Sequence, residues 1–174
     1  GPGKGVLTKY LIQKNANIKL IEIDIDCISI IKEKFKNVDV IHDDFLQINL
    51  SEINFKEYSI IGNFPYNISS QILFKVLENR NHVFELVGMF QKEVADRICS
   101  KPKSKKYGIL SVLIQAYFNC ENLFNVGPDN FEPIPKVNSS VIRLSRNKIK
   151  DLGCDHDHFI KVVKGAFSQR RKKL

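Results

Sequence analysis

The chain has 174 residues, room for one ordinary domain, and its 43% hydrophobic and 26% charged residues match a soluble globular composition. That excludes a disordered chain, and no stretch approaches the roughly 20 apolar residues of a membrane-spanning helix. The net charge of +8 is unevenly spread: from Lys136 onward eleven Lys and Arg stand against three Asp, whereas the preceding residues hold 16 basic and 16 acidic groups. Such asymmetry points to a polyanion, nucleic acid ahead of a membrane surface, although a solvated basic tail fits the charge equally well.

The chain opens on Gly1-Pro2-Gly3, with no initiator Met, signal peptide or transit sequence, and reads as a fragment whose start lies upstream. Four cysteines, Cys27, Cys99, Cys120 and Cys154, form no Cys-x-x-Cys pair. They read as small buried hydrophobes of a reducing compartment rather than a disulfide framework.

In chain order, the glycine-rich start leads into a helical pattern, Val6 to Leu11. The β-branched run Ile18–Ile23 predicts a strand, followed by a helix capped by Asp24 or Asp26 with Ile28, Ile31 and Phe35 on one face. Val38–Ile41 and Tyr58–Gly62 predict two more strands, the latter broken by Asn63-Phe64-Pro65-Tyr66. Ser69 is the expected cap of a helix that turns Ile72, Leu73, Val76 and Leu77 inward, and Phe84–Phe90 is a fourth strand.

A helix through Val94 and Ile98, a lysine-rich loop at Lys101–Lys106 and a helix from about Leu110 to Ala116 follow. Tyr117–Val126 and Val137–Ser145 predict an antiparallel pair at a sheet edge, joined by the turn Phe131-Glu132-Pro133-Ile134-Pro135. A last helix from about Asp157 to Arg171 places Phe159, Val162, Val163, Ala166 and Phe167 on one face, with its basic end at the negative pole of the dipole. Alternating strands and helices predict an α/β fold: a mostly parallel twisted sheet with an antiparallel edge and helices on both faces, ligands binding at the carboxyl ends of the strands.

Unusual residues fall at those ends. Gly1-Pro2-Gly3-Lys4-Gly5 before a helix lets backbone approach a ligand, and Glu22, about 20 residues on, suits a ribose hydroxyl pair. The spacing is not that of dinucleotide enzymes, and a plain glycine turn is the simpler alternative. Asp44, at the end of the second strand, can accept from an adenine amine or simply cap Phe45–Ile48, in which case the neighbouring Asp43 is free of that duty; if Asp44 is functional, Asp43 is the expected cap.

Asn63-Phe64-Pro65-Tyr66 is the most specific signal. The lone pair of an aromatic amine is delocalised into its ring, so hydrogen-bond acceptors that strengthen as the nitrogen becomes tetrahedral favour its attack. The Asn63 side-chain oxygen and a backbone carbonyl of the turn supply two acceptors, Pro65 fixes the turn, and Tyr66 offers a face for a flipped base. A proline turn with a core tyrosine is the alternative.

With these stand GPGKGVLT, IEID, DDFL, GNFPYNIS, MFQKEVADRI, SKKYGILSV, FEPIPKVNSSVIRL and AFSQRRKKL, in that order. Together they resemble the ribosomal RNA adenine N6,N6-dimethyltransferases of the kasugamycin-resistance type, which share a fold with the erythromycin-resistance methylases. The resemblance spans nearly the whole chain and implies a Rossmann-like, S-adenosylmethionine-dependent methyltransferase. Its substrate would be rRNA within the small ribosomal subunit or its precursor, and the enzyme a cytoplasmic monomer away from membranes.

Residue by residue, the resemblance implies that Gly1, Gly3 and their loop hold the methionine part of S-adenosylmethionine, Glu22 its ribose and Asp44 its adenine. Asn63 would hold the target amine beside the cofactor, with Pro65 fixing the turn and Tyr66 and Phe131 closing on the two faces of the adenine. Phe64 stands where leucine is more frequent, a mild change. The family also carries a strand before the first glycine, an N-terminal segment and a small C-terminal helical domain. Residues 1–150 are then the catalytic core and 151–174 a basic helix leading to that further domain.

No metal is expected: Cys154-Asp155-His156-Asp157-His158 matches no common zinc spacing and sits where acids cap a helix. Arg170–Lys173 and the lysines of 101–106 suit RNA phosphates, or in the loop simple solvation. Three rivals are a resistance-type methylase of large-subunit rRNA, a non-catalytic ribosome-assembly factor, and a nicotinamide-dependent oxidoreductase. The last is opposed by the glycine spacing.

Overall fold

The two β-branched runs nearest the start pair as short parallel strands, β1 (Lys19–Glu22) and β2 (Asp39–His42), in a computed structural model that describes residues 1–149 and 151–168. A short helix α1 (Thr8–Ile12) precedes them and α2 (Ile25–Lys34) crosses between them. Of the two caps foreseen for α2, Asp24 is the one used: its carboxylate accepts from the Asp26 and Cys27 N–H groups at 2.8 and 3.2 Å. Those donors hold the Asp24 carboxyl below its usual range.

The remaining strands form a second sheet. In chain order come β3 (Tyr58–Asn63), α3 (Ser69–Glu78), β4 (Val83–Gln91), α4 (Lys92–Ile98) and α5 (Ile109–Gln115). They are followed by β5 (Phe118–Val126), β6 (Ser139–Arg146) and α6 (His156–Ser168). The strand order is β3-β4-β6-β5: β3 and β4 are parallel, and β6 runs antiparallel to both its neighbours, which makes β5–β6 the expected antiparallel edge. The fold is therefore α/β, with α2 packed on β1 and β2 and the other long helices gathered over one face of the larger sheet.

That face holds the main core. Ile72, Leu73, Val76 and Leu77 of α3 are all at most 2% exposed, as their spacing predicts. They meet Leu86 and Phe90 of β4 and Ile142 and Leu144 of β6. A much smaller cluster, Ile48, Leu50 and Ile53, packs beneath β1 and β2. On the opposite face of the larger sheet, Ile61 and Phe124 stay exposed.

Three local expectations change. Ser69 does not cap α3; its hydroxyl turns back and donates to the Pro65 and Tyr66 carbonyls, because the preceding turn has acceptors to satisfy inside a buried site. The inward stripe of α6 is Phe159, Ile160, Val163 and Phe167, while Val162 is 55% exposed, so the helix meets the core along its i, i+4 row and is rotated from the expected face. Cys154 is exposed and the other three cysteines are only half-buried. Burial still pushes the Cys99 thiol up to about 11 and the Cys120 thiol up to about 12. Asp155 caps α6 by accepting from the His158 N–H at 2.8 Å, and His156 pairs with the Tyr117 hydroxyl at 2.8 Å. Arg170–Lys173 lie outside the described residues.

Candidate active site at the strand ends

Glu22 closes β1 and is only 7% exposed, an expensive place for a carboxylate unless its oxygens are satisfied. Three backbone donors satisfy them: Gly3 N–H reaches Oε2 at 2.9 Å, and Ile23 and Asp24 N–H groups reach Oε1 at 2.9 and 3.1 Å. The carboxylate thus ties the glycine loop to the strand end. A Cβ on Gly1 would lie 2.5 Å from the same carboxylate, so a side chain there would push Glu22 from its place. Gly5, at φ +82, lies against the Phe35 ring of the segment ending α2, where a Cβ would meet that ring at 2.5 Å. Gly3 has nothing within 4 Å of a would-be Cβ, which leaves the outer side of the loop open.

Asp44 follows β2 beside Glu22, and the Asp43 N–H donates to the Glu22 carbonyl at 3.1 Å. The Asp44 Oδ1 accepts from Leu46 N–H at 2.9 Å, so Asp44 itself caps the turn. That is the capping alternative read for Asp44 from the sequence; Asp43, the cap expected if Asp44 serves a ligand, accepts from the adjoining Asp44 N–H at 2.7 Å. A carboxylate has two oxygens, and the turn uses one of those of Asp44.

At the end of β3 the chain breaks into the turn Asn63–Tyr66. Phe64 is 6% exposed and its ring lies across Gly62 and Gly88, which are register partners on β3 and β4. A Cβ on Gly62 would come within 2.8 Å of that ring, and one on Gly88 would collide with it. Phe64 also packs on Phe90 at a centroid distance of 5.4 Å. The larger aromatic ring at this position is therefore accommodated by a floor of paired glycines, and it pins the backbone between Asn63 and Pro65.

The turn faces a cavity of about 290 Å³ lined by Asn63, Phe64, Pro65 and Tyr66 from this turn and by Phe131, Glu132, Pro133 and Pro135 from the segment before β6. Four sequence-predicted site residues from segments far apart in the chain thus share one pocket. Tyr66 is held by a 2.6 Å hydrogen bond from its hydroxyl to Ser139, which is fully buried at the start of β6. Ser139 went unrecognised as a site residue because a serine opening a strand carries no pattern of its own. Nearby, Lys92 N–H donates to the Asn138 carbonyl at 2.9 Å. Its ammonium and that of Lys106 both reach Asp96, at 3.1 and 2.7 Å, so one lysine of the expected phosphate-binding loop is paired within the protein. The Lys106 bond, with Lys92, holds the Asp96 carboxyl below its usual range.

Two clusters result: Gly1, Gly3, Glu22 and Asp44 on the small sheet, and Asn63, Pro65, Tyr66 and Phe131 on the large one. Among the described residues no hydrogen bond joins Asn63 directly to the first cluster.

Comparison with known proteins covers the same ground. The family model described as ribosomal RNA adenine dimethylase matches residues 1–174. A protein of Bacteroides thetaiotaomicron named ribosomal RNA small subunit methyltransferase A is 50% identical over 177 residues, covering 100% of this chain and 66% of the relative. One of the same name from Cytophaga hutchinsonii is 51% identical, with 100% and 69% covered. The chain thus spans about two thirds of the length of these curated relatives. Among solved structures, a dimethyladenosine transferase from Plasmodium falciparum aligns with a TM-score of 0.86 at 28% identity, covering 100% of this chain and 63% of that one. The 23S rRNA methyltransferase ErmE aligns with a TM-score of 0.77 at 26% identity, covering 97% and 68%. With the match extending over residues 1–174, the chain belongs to the ribosomal RNA adenine dimethylase family.

Proposed function

We propose that this chain is the catalytic core of a cytoplasmic enzyme that transfers methyl groups from S-adenosylmethionine to the exocyclic amines of adenines in small-subunit rRNA, giving N6,N6-dimethyladenosine during ribosome biogenesis. The observation that carries this reading is the cavity lined together by Asn63, Tyr66 and Phe131. An amide and two aromatic side chains lining one open pocket suit a flat base carrying an exocyclic amine. The names of the two bacterial relatives favour small-subunit rRNA.

The first cluster fits the cofactor. The loop presents open backbone at Gly3, Glu22 braces it from beneath, and Asp44 keeps one oxygen outside its turn. Gly1 and Gly3 would hold the amino-acid part, Glu22 the ribose hydroxyls and Asp44 the adenine amine. When bound, S-adenosylmethionine supplies an electrophilic methyl group on a sulfonium.

The chain's own part is positioning. Asn63 Oδ1 accepts one hydrogen of the target amine. The carbonyls of Pro65 and Tyr66 are already engaged within the turn by Ile68 N–H and Ser69, which leaves the Phe64 carbonyl to accept the other. Both acceptors strengthen as the nitrogen becomes tetrahedral, and the departing proton passes to water. Tyr66, fixed by Ser139, and Phe131 hold the base plane.

The test is transfer of labelled methyl to small-subunit and large-subunit particles by the full-length chain and its Asn63→Ala variant. Dimethyladenosine on small-subunit RNA, reduced about 100-fold or more in the variant, is the expected result. Label on large-subunit RNA would identify a resistance-type methylase, and particle binding without transfer an assembly factor.

A further inference from the structure

Near the end of α3, Lys75 reaches away from solvent into the connection that follows β2. Its ammonium donates to the carbonyl oxygens of Leu46 at 2.8 Å and Ile48 at 2.6 Å, partners 29 and 27 residues earlier in the chain. These are short, charge-assisted bonds in a half-buried setting, the stronger class of hydrogen bond. They fall on a turn whose own apolar support is modest: the buried cluster beneath it is Ile48, Leu50 and Ile53, with Phe45 half-buried against it.

The Leu46 residue is engaged on both of its backbone groups. Its carbonyl takes the Lys75 ammonium, and its N–H donates to Asp44 Oδ1 at 2.9 Å. The Asp44 carbonyl in turn accepts from the Gln47 and Ile48 N–H groups, both at 2.9 Å. The second Lys75 bond, to Ile48, closes the far side of the same turn. Hydrogen bonds in such a chain reinforce one another. Without the ammonium, the Leu46 and Ile48 carbonyls lose their partner and the donor that orients Asp44 is free to swing.

We infer that Lys75 is a positioning residue for Asp44. It fixes the Leu46 segment so that one oxygen of the Asp44 carboxylate is committed to the turn and the other is held out toward the exocyclic amine of the cofactor's adenine. This rests on the reading of Asp44 given above. The consequence is that α3, which starts directly after the turn that would hold the target amine, also braces the carboxylate that would recognise the cofactor's amine.

The test is a preference rather than an affinity. Dissociation constants of S-adenosylhomocysteine and S-inosylhomocysteine, which carries an oxo group in place of the adenine amine, are measured by calorimetry on the full-length chain, with Lys75→Met and Lys75→Arg. A carboxylate held toward that position favours the amine and repels the oxo group. Lys75→Met is expected to narrow the preference for the adenine ligand about tenfold, with Lys75→Arg restoring part of it because a cationic donor is kept. Equal weakening of both ligands in Lys75→Met would show a scaffold role only, and an unchanged ratio would show no link to Asp44; either overturns the inference. If the unsubstituted chain binds no S-adenosylhomocysteine, or binds both ligands alike, the cofactor reading of Asp44 itself fails, and the inference with it.

Discussion

The region ending at Ile53 and the region beginning at Tyr58 both present side chains at strand ends, but they fix them by different means. In the first, the apolar cluster has three buried residues, and polar groups add to the holding: Glu22 accepts from three backbone N–H groups and Lys75 clamps two carbonyls. In the second, seventeen buried residues form one continuous core, and the Asn63 turn is set by an aromatic ring wedged over paired glycines. Polar bracing leaves a loop open on its ligand side, whereas packing leaves a rigid slot. The proposed cofactor, flexible and charged, and the proposed flat base ask for these two solutions respectively.

The largest effect that probes the contrast is a matched pair of truncations. Leu86, at 0% exposure in the large core, and Leu50, at 3% in the small cluster, are both buried leucines. Leu86→Ala should cost about 4 kcal/mol by opening a cavity that rigid neighbours cannot refill, and Leu50→Ala only about 2 kcal/mol because its surroundings can collapse. Urea unfolding midpoints measure both, and equal costs would erase the distinction. Next comes Gly88→Val. Its side chain would drive into the Phe64 ring, so it should cost about 2–3 kcal/mol and also displace Asn63, lowering methyl transfer beyond what lost stability explains. Activity that stayed normal per folded molecule would show that the wedge does not set the turn. Tyr66→Phe is gentler. It removes the bond to buried Ser139 and should cost about 1 kcal/mol, with a loss of a few-fold in transfer read from single-turnover rates.

The same contrast decided what could be read from the residues alone. Helix faces in the large core were legible because burial repeats with the helical period, as at Ile72, Leu73, Val76 and Leu77. The grouping of Asn63, Pro65, Tyr66 and Phe131 on one cavity follows the expectation that an amide, a proline and aromatics in turns at strand ends serve a common pocket. The pairing of Gly62 with Gly88 beneath Phe64 depends on strand register, which no local pattern encodes. The bracing of the first region was also hidden. Lys75 meets carbonyls more than 25 residues away, and any long side chain could do so. Ser69 misled because a hydroxyl both donates and accepts, so spacing proposes a cap while the turn before it claims the proton. Val162 misled for a plainer reason: five apolar residues lay along one face of α6, and only docking chose the row that was buried.

The second region has polar latches too, and acid should weaken the one at α6. The Tyr117 hydroxyl meets His156 Nδ1 at 2.8 Å, and Arg80 lies over the Tyr117 ring at 4.9 Å, so the start of α6 is tied to the root of β5 through an imidazole. Burial, and after it the Arg80 charge, pull the His156 pKa below its usual 6.5; Asp157, Asp155 and Glu78 oppose this only in part. A depressed pKa means that the unfolded chain takes up the proton first. The stability this group contributes is therefore complete above about pH 6.5 and is lost as the pH falls through the lower folded value. Urea midpoints at about pH 7.5 and 5.5 should fall on acidification in the parent chain and fall less in His156→Gln, which keeps a hydrogen-bonding side chain but cannot take the proton. This is the smallest of the expected changes, because the imidazole is only half-buried and α6 is also held by Phe159, Val163 and Phe167. An equal fall in both proteins would assign the docking of α6 to apolar packing alone.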